Sequence, residues 1–265
     1  MKNISGYLLD LDGTVYRGAK LIPGADRVIA RLRARGRRLV FLSNKPLAPR
    51  RDYAEKLACL GVPAREEEVI NSSYVMARYL ARIAPHAPVY AIGEPPLIAE
   101  LREAGLVISE DYEHIEYVVV AFDRTFDYQK LNLAFQAIRR GAHFVATNPD
   151  RTCPVEGGEI PDAAGMIAAV EAVTGKRVEE IVGKPSKIMI EAALAQLELP
   201  AARVAIVGDR LKTDIAMGQG SDLMTILTLT GVNSRDDLQK SAIQPDRVIG
   251  SLAELPALDD LLNAS

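Results

Sequence analysis

The segment Leu9-Asp10-Leu11-Asp12-Gly13-Thr14 sets two carboxylates two residues apart at the end of an apolar run. Side chains two apart on an extended chain share a face, so Asp10 and Asp12 are expected to point the same way. Gly13 lets the chain leave the strand through a conformation closed to bulkier residues. Three further segments carry related chemistry. Leu42-Ser43-Asn44 ends a second apolar run with a hydroxyl and an amide. Gly183-Lys184-Pro185 puts an amine between a short strand and a helix, and Val207-Gly208-Asp209 is followed by Asp214 near the start of the next helix. Carboxylates gathered in one crevice cannot all ionise comfortably unless a cation neutralises them. Without His or Cys among them they select a hard ion, and Mg2+ typically combines one or two carboxylates with waters and substrate phosphate. Such an ion lets an anionic phosphate approach an anionic nucleophile, while Ser43, Asn44 and Lys184 are suitable donors for the remaining phosphoryl oxygens. A carboxylate can attack phosphorus. A second carboxyl on the same face can protonate the leaving oxygen and later deprotonate water.

The elements that must position these groups are legible in the apolar pattern. Strands are expected over Tyr7–Leu11, Leu39–Leu42, Val89–Ile92, Tyr117–Phe122, Phe144–Thr147, Glu180–Val182, Val204–Val207, Met224–Leu229 and Arg247–Ile249. Amphipathic helical stretches such as Ala25–Ala34, Leu131–Arg139 and Lys187–Gln196 lie between them. Nearly continuous hydrophobic strands alternating with helices imply parallel sheets covered on both faces, with sites beyond the carboxyl ends of the strands. This many strands exceeds one simple doubly wound unit. The expected architecture is a doubly wound α/β core from residues 1–83 and 182–265, with residues 84–181 inserted as a smaller α/β domain entered through Ala84-Pro85-His86-Ala87-Pro88.

Bulk properties exclude several classes. With 48% apolar and 25% charged residues over 265 positions, the chain has the profile of a globular protein with a sizeable core. A formal charge of -3 gives no argument for nucleic acid or membrane partners. Arg31, Arg33, Arg35, Arg37 and Arg38 straddle a helix end, where positive charge suits the macrodipole and a solvated face is the simpler reading. Two cysteines, Cys59 and Cys153, form no CxxC motif. A reducing, cytoplasmic setting is expected from them and from an N-terminus without a signal-type apolar region. Cys59 and Arg65 share the bare Cys-x5-Arg spacing of cysteine phosphatases, but Cys59 falls in a helical pattern closed by Gly61, and Pro63 offers no N–H. A buried or half-buried structural cysteine is expected instead. His86, His114 and His143 show no ligand spacing, and neither a GxGxxG nor a Walker A segment follows the first strand.

Asp10-Leu11-Asp12-Gly13-Thr14, Ser43-Asn44, Gly183-Lys184-Pro185 and Gly208-Asp209 with Asp214 resemble, in order, the four motifs of the haloacid dehalogenase superfamily. The insertion between the second and third resembles the α/β cap of its NagD-type branch, which includes 4-nitrophenylphosphatase-like and sugar-phosphate phosphatases. Leu42-Ser43-Asn44-Lys45-Pro46, Ala146-Thr147-Asn148-Pro149-Asp150 and Val182-Gly183-Lys184-Pro185-Ser186 extend the match, which covers essentially the whole chain. The resemblance implies a Mg2+-dependent phosphatase acting on a small phosphate monoester. In it Asp10 is the nucleophile and a metal ligand, Asp12 the general acid/base with its carbonyl on the metal, and Asp209 a further ligand. Asp214 stands behind the metal, and Ser43, Asn44 and Lys184 hold the phosphoryl group. Lys212 departs from the family, where an acid is common, and spares every assigned ligand. A phosphomutase on the same core and a non-catalytic phosphate-binding protein are the alternatives. Asp123, Arg124, Asn148 and Asp150 stand at or beyond cap strand ends, where each is either a substrate contact or a loop residue. Cap-mediated homodimers occur in such families, and no segment of this sequence proves one.

Overall fold

The computed structural model describes residues 3–155 and 157–263. By packing, the chain forms two units, one of residues 1–43, 50–70 and 190–265, the other of residues 44–49 and 71–189.

The strands run, in chain order, β1 (Gly6–Asp10), β2 (Tyr16–Arg17), β3 (Lys20–Leu21), β4 (Arg38–Ser43), β5 (Val69–Asn71), β6 (Pro88–Ile92), β7 (Val107–Ile108), β8 (Tyr117–Val120), β9 (His143–Ala146), β10 (Thr152–Val155), β11 (Gly158–Pro161), β12 (Glu180–Ile181), β13 (Val204–Gly208), β14 (Met224–Thr228) and β15 (Arg247–Ile249). In the first unit the sheet order is β15-β14-β13-β1-β4-β5, and β4, β1, β13, β14 and β15 are parallel. The chain winds outward from β1 to β4 and β5, then restarts on the other side with β13. The order therefore reverses at β1, which is where open α/β sheets place their sites. Every residue of β1, β13 and β14 is buried, as strands covered on both faces require. Burial of a side chain such as Leu8, Leu9 or Ile206 stabilises the sheet by roughly 1.5–3 kcal/mol each.

Helix Ala25–Ala34 buries Ala25, Val28, Ile29 and Leu32 and packs with helix Leu255–Asn263. Asp259 on the latter, 1% exposed, receives Tyr7 Oη at 2.7 Å and the guanidinium groups of Arg35 and Arg37 at 3.0 Å. Burial, and the carboxylate beside it, push the Tyr7 phenol far above its ordinary value. Arg31 reaches Asp260, Arg33 Glu68 and Arg38 Glu198. The arginine cluster is thus matched to carboxylates on its own unit.

The second unit has its own parallel sheet, β12-β9-β8-β6-β7. Its core joins Ile92, Val118, Val120, Phe144 and Ala146 to Ile167 and Val170 of helix Ala163–Thr174 and to Ala134 and Ile138 of helix Tyr128–Arg139.

All nine strands expected from the sequence are present. Those missed are β5, β7 and the hairpins β2–β3 and β10–β11. They are two to four residues long, and β10–β11 is largely exposed and carries prolines, so no apolar period marks them. The packing division also differs from the sequence boundaries at 84 and 181. Helix Ser72–Ile83 packs on helix Pro95–Glu103, and Gly183 N donates to Thr147 O at 2.8 Å, which draws both flanks into the second unit. Among the described residues, no helix is long and apolar enough to cross a membrane.

Candidate active site

Asp10 is the last residue of β1, and Asp209 follows the last residue of β13. The register Leu9↔Val207 levels these strands, so both acids emerge at one sheet edge. On the other side Asp10 pairs with Leu42, which sets Ser43 one residue further along β4. Asp214 returns to the same edge by a different route. Ile215 N donates to Arg210 O five residues back, at 3.2 Å, so the chain after Asp209 makes a π-helical turn over Leu211–Ile215, a form frequent at functional sites. The turn buries Leu211 and Ile215 against Leu227 and holds Asp214, whose Oδ2 accepts Arg210 N at 3.0 Å. Lys212, on the same turn, is exposed, so its departure from the family pattern leaves the buried acids untouched.

The result is a cluster of carboxylates. Asp10, Asp209 and Asp214 are buried, and each offers an oxygen within 4.8 Å of the other two. Like charges this close repel one another unless a cation joins them. The donor set is oxygen only, without His or Cys, which fits a hard divalent ion.

The loops around the cluster are built for close approach. Gly13 has φ 95° and faces the Asp209 carboxylate. At Gly231 any Cβ would overlap that carboxylate. Val232 N donates to Asp209 Oδ2 at 2.6 Å, Thr230 Oγ1 to Gly13 O at 2.6 Å, and Leu211 N to Asn233 Oδ1 at 2.8 Å. Thr230, Gly231 and Asn233 were missed from the sequence. The Thr-Gly pair after β14 was the available signal, but its partners, Gly13 and Asp209, are brought there only by the sheet. Asp12, partly exposed, forms a bridge with Tyr16, whose phenol is pushed up by burial and by nearby Tyr53, Asp12 and Asp10. Lys56 Nζ stands 3.6 Å from the centre of the Tyr16 ring.

Lys184, 3% exposed, and Asn44 belong to the second unit. The Asn44 side chain accepts Lys184 N at 2.8 Å and donates to Lys184 O at 3.1 Å and to Asp150 Oδ2 at 2.9 Å. An amide has two N–H donors. Both of Asn44's are thus engaged within the protein.

The four cap candidates behave alike. Asp123 is fully buried, accepts Thr125 N and Thr125 Oγ1 at 2.9 and 2.7 Å, and pairs with Lys130 at 2.5 Å. Arg124 makes a two-pronged pair with Glu94 at 2.7 Å, which holds the Glu94 carboxyl below its usual range. Asn148 donates to Asp150 and Asp162, and Asp150 accepts from Asn44 and Asn148. Each of the four thus has hydrogen-bond partners within its own unit.

Cys59 is exposed, which corrects the expectation of a buried or half-buried thiol. It ends helix Arg50–Cys59 on the polar side, since Tyr53, Ala54 and Leu57 fill the buried face. The N–H groups of Leu60, Gly61 and Val62 donate to Lys56, Ala58 and Leu57, so the segment offers no phosphate cradle. His114 and His143 meet Asp111 and Glu179 at the surface, and His86 meets Gly105 O.

Residues 7–107 match the haloacid dehalogenase-like hydrolase family, and residues 181–255 match a second, HAD-hydrolase-like family. The sugar-phosphatase AraL of Bacillus subtilis is 38% identical over 254 residues, covering 96% of this chain and 93% of its own. Among solved structures, the 4-nitrophenylphosphatase of Thermotoga maritima superposes with a TM-score of 0.92 at 33% identity, covering 97% of each chain. NagD from Escherichia coli K-12 superposes with a TM-score of 0.88 at 32% identity, covering 95% of this chain and 98% of that one.

Proposed function

We propose, from the premise that this chain belongs to the haloacid dehalogenase-like hydrolases, in their NagD-type branch, and is a phosphoric monoester hydrolase, that Asp10 is its nucleophile and that its substrate is a sugar phosphate or similar small metabolite. The observation that carries this is the buried triad of Asp10, Asp209 and Asp214, whose oxygens converge within 4.8 Å at the end of the central strands.

Asp10 attacks phosphorus, and the bond to the leaving oxygen breaks as Asp12 delivers a proton to it. The acyl phosphate on Asp10 is then cleaved by a water that yields its proton to Asp12, which restores both groups. Asp10 and Asp209, with the carbonyl of Asp12, would hold Mg2+, and Asp214 supports them. When bound, the ion neutralises the anionic phosphate and nucleophile and stabilises charge on the phosphoryl oxygens. Ser43 donates its hydroxyl, and Lys184 its ammonium, to those oxygens. Asn44 contributes by fixing Lys184, since its side-chain donors are already in use. The inserted segment, residues 84–181, selects the leaving group.

The test is release of inorganic phosphate from 4-nitrophenyl phosphate and from a panel of sugar phosphates with Mg2+. Asp10→Asn should lower turnover by about 10^3-fold or more, the range of a lost nucleophile. Near wild-type turnover in that variant would remove the reading. Transfer to a second sugar hydroxyl without free phosphate would point to a mutase instead.

A further inference from the structure

The second unit contains a chain of hydrogen bonds that leads from Lys184 to the start of a helix. It begins at Lys184, whose backbone N–H and C=O are both clasped by the side chain of Asn44. The remaining Asn44 N–H goes to Asp150 Oδ2 at 2.9 Å. The same oxygen accepts Asn148 Nδ2 at 3.1 Å, and Asn148 Nδ2 also reaches Asp162 Oδ1 at 3.0 Å. Asp162 accepts Ala163 N at 2.6 Å and so starts helix Ala163–Thr174. Asn148 Oδ1 is fixed in turn by Thr147 Oγ1 at 2.8 Å, and Asn44 O by Ser72 Oγ at 2.6 Å. Asn44, Asn148, Asp162 and Lys184 are all buried. Burial raises the Asp162 carboxyl, and the Ala163 and Asn148 donors partly offset this.

The physical consequence lies in the orientation of one amide. Asn44 can clasp Lys184 only with its oxygen toward Lys184 N; a half-turn about the last torsion would set NH2 against N–H, donor facing donor. A carboxylate is acceptor-only, so Asp150 selects the orientation that directs the Asn44 NH2 toward it. Asn148, held on its other side by a helix N-cap, keeps Asp150 in place.

We propose that Asp150 is a positioning residue for Lys184, acting through Asn44 to fix the main chain that carries the phosphoryl-binding ammonium. This rests on the assignment of Lys184 made above and adds a residue and a role to it.

The experiment is a double-mutant cycle of Asp150→Ala and Lys184→Ala in the full chain, read by the KM for 4-nitrophenyl phosphate and by competitive inhibition with inorganic phosphate, with thermal unfolding followed in parallel. Asp150→Ala should weaken both by about tenfold, the loss expected when a buried hydrogen-bond network is opened, with a smaller change in kcat. In the Lys184→Ala background the same substitution should change them by less than about twofold, because its effect passes through the lysine. Asp150→Asn keeps one acceptor oxygen and should fold and stay within about threefold of wild type. Full additivity of the two alanine variants overturns the proposal, as does an Asp150→Asn protein of normal unfolding temperature that is as impaired as Asp150→Ala. If Lys184→Ala itself leaves phosphate inhibition unchanged, the lysine assignment and the proposal fall together. If Lys184→Ala is impaired and Asp150→Ala is not, only the positioning role falls.

Discussion

Two groups of buried acids in this chain are treated in opposite ways. In the first unit, Asp10, Asp209 and Asp214 bring their oxygens within 4.8 Å of one another, gathering like charge. In the second, Asp123 and Asp162 are each met by dedicated donors: Lys130 and Thr125 for the one, Asn148 and the Ala163 N–H for the other. Asp209 and Asp214 also accept backbone N–H groups, those of Val232 and Arg210, but each faces two further carboxylates, whereas the donors around Asp123 and Asp162 offset the desolvation of a single acid. Buried charges aimed at one another cost stability until a cation arrives, which marks the place where a site has been kept at the expense of the fold. Burial and acidity alone would have ranked all five together. The identity of the neighbours separates them.

This contrast can be broken most sharply at Asp209. Asp209→Asn should lower divalent-ion affinity by about 100-fold, near the upper end for a lost or disordered ligand environment, as measured by Mn2+ titration. In EDTA its unfolding temperature should equal or exceed that of wild type, because one like charge has gone. A clear fall in that temperature would make Asp209 a structural acid. Gly231→Ala forces a methyl group against the Asp209 carboxylate and should weaken Mn2+ binding by about tenfold through displacement of a ligand.

On the other side, Lys130→Met leaves Asp123 buried without its ammonium. Urea unfolding should report a loss of about 3 kcal/mol, with kcat/KM little changed in the folded protein. A large drop in kcat/KM without loss of stability would return Asp123 to the substrate. The smallest effect is expected at Glu94→Gln, about 0.2–1 kcal/mol, since Arg124 is largely exposed. Arg124 lowers the folded-state value of Glu94, so the pair's contribution is complete above the ordinary Glu range near 4.3 and is lost as pH falls through the lowered value. The two proteins should therefore differ at pH 7 and converge in acid.

The long buried strands were legible because their apolar runs are continuous. The candidate site motifs were legible because each stands at the end of an apolar run. Short strands such as β7, and the β10–β11 hairpin with Cys153-Pro154 in it, carry no period for pattern reading to find. The Thr230–Asn233 loop escaped notice because the groups it meets, Gly13, Asp209 and Leu211, lie about twenty to more than two hundred residues away along the chain. Asp123, Arg124, Asn148 and Asp150 were placed correctly beyond strand ends. What they meet there depends on residues as distant along the chain as Asn44, Glu94 and Asp162, which local pattern does not connect.

The order of the elements, the parallel sheets and the chemical types at their carboxyl ends follow from the amino-acid sequence itself, because periodicity and turn residues are local properties of a chain. The tertiary structure alone decided which acids converge within 4.8 Å and which meet separate donors, since charge density is set by distances between segments that the chain separates by as many as two hundred residues. It also spent both side-chain N–H groups of Asn44 on Asp150 and on the main chain of Lys184, partners more than a hundred residues away that no local pattern connects to it.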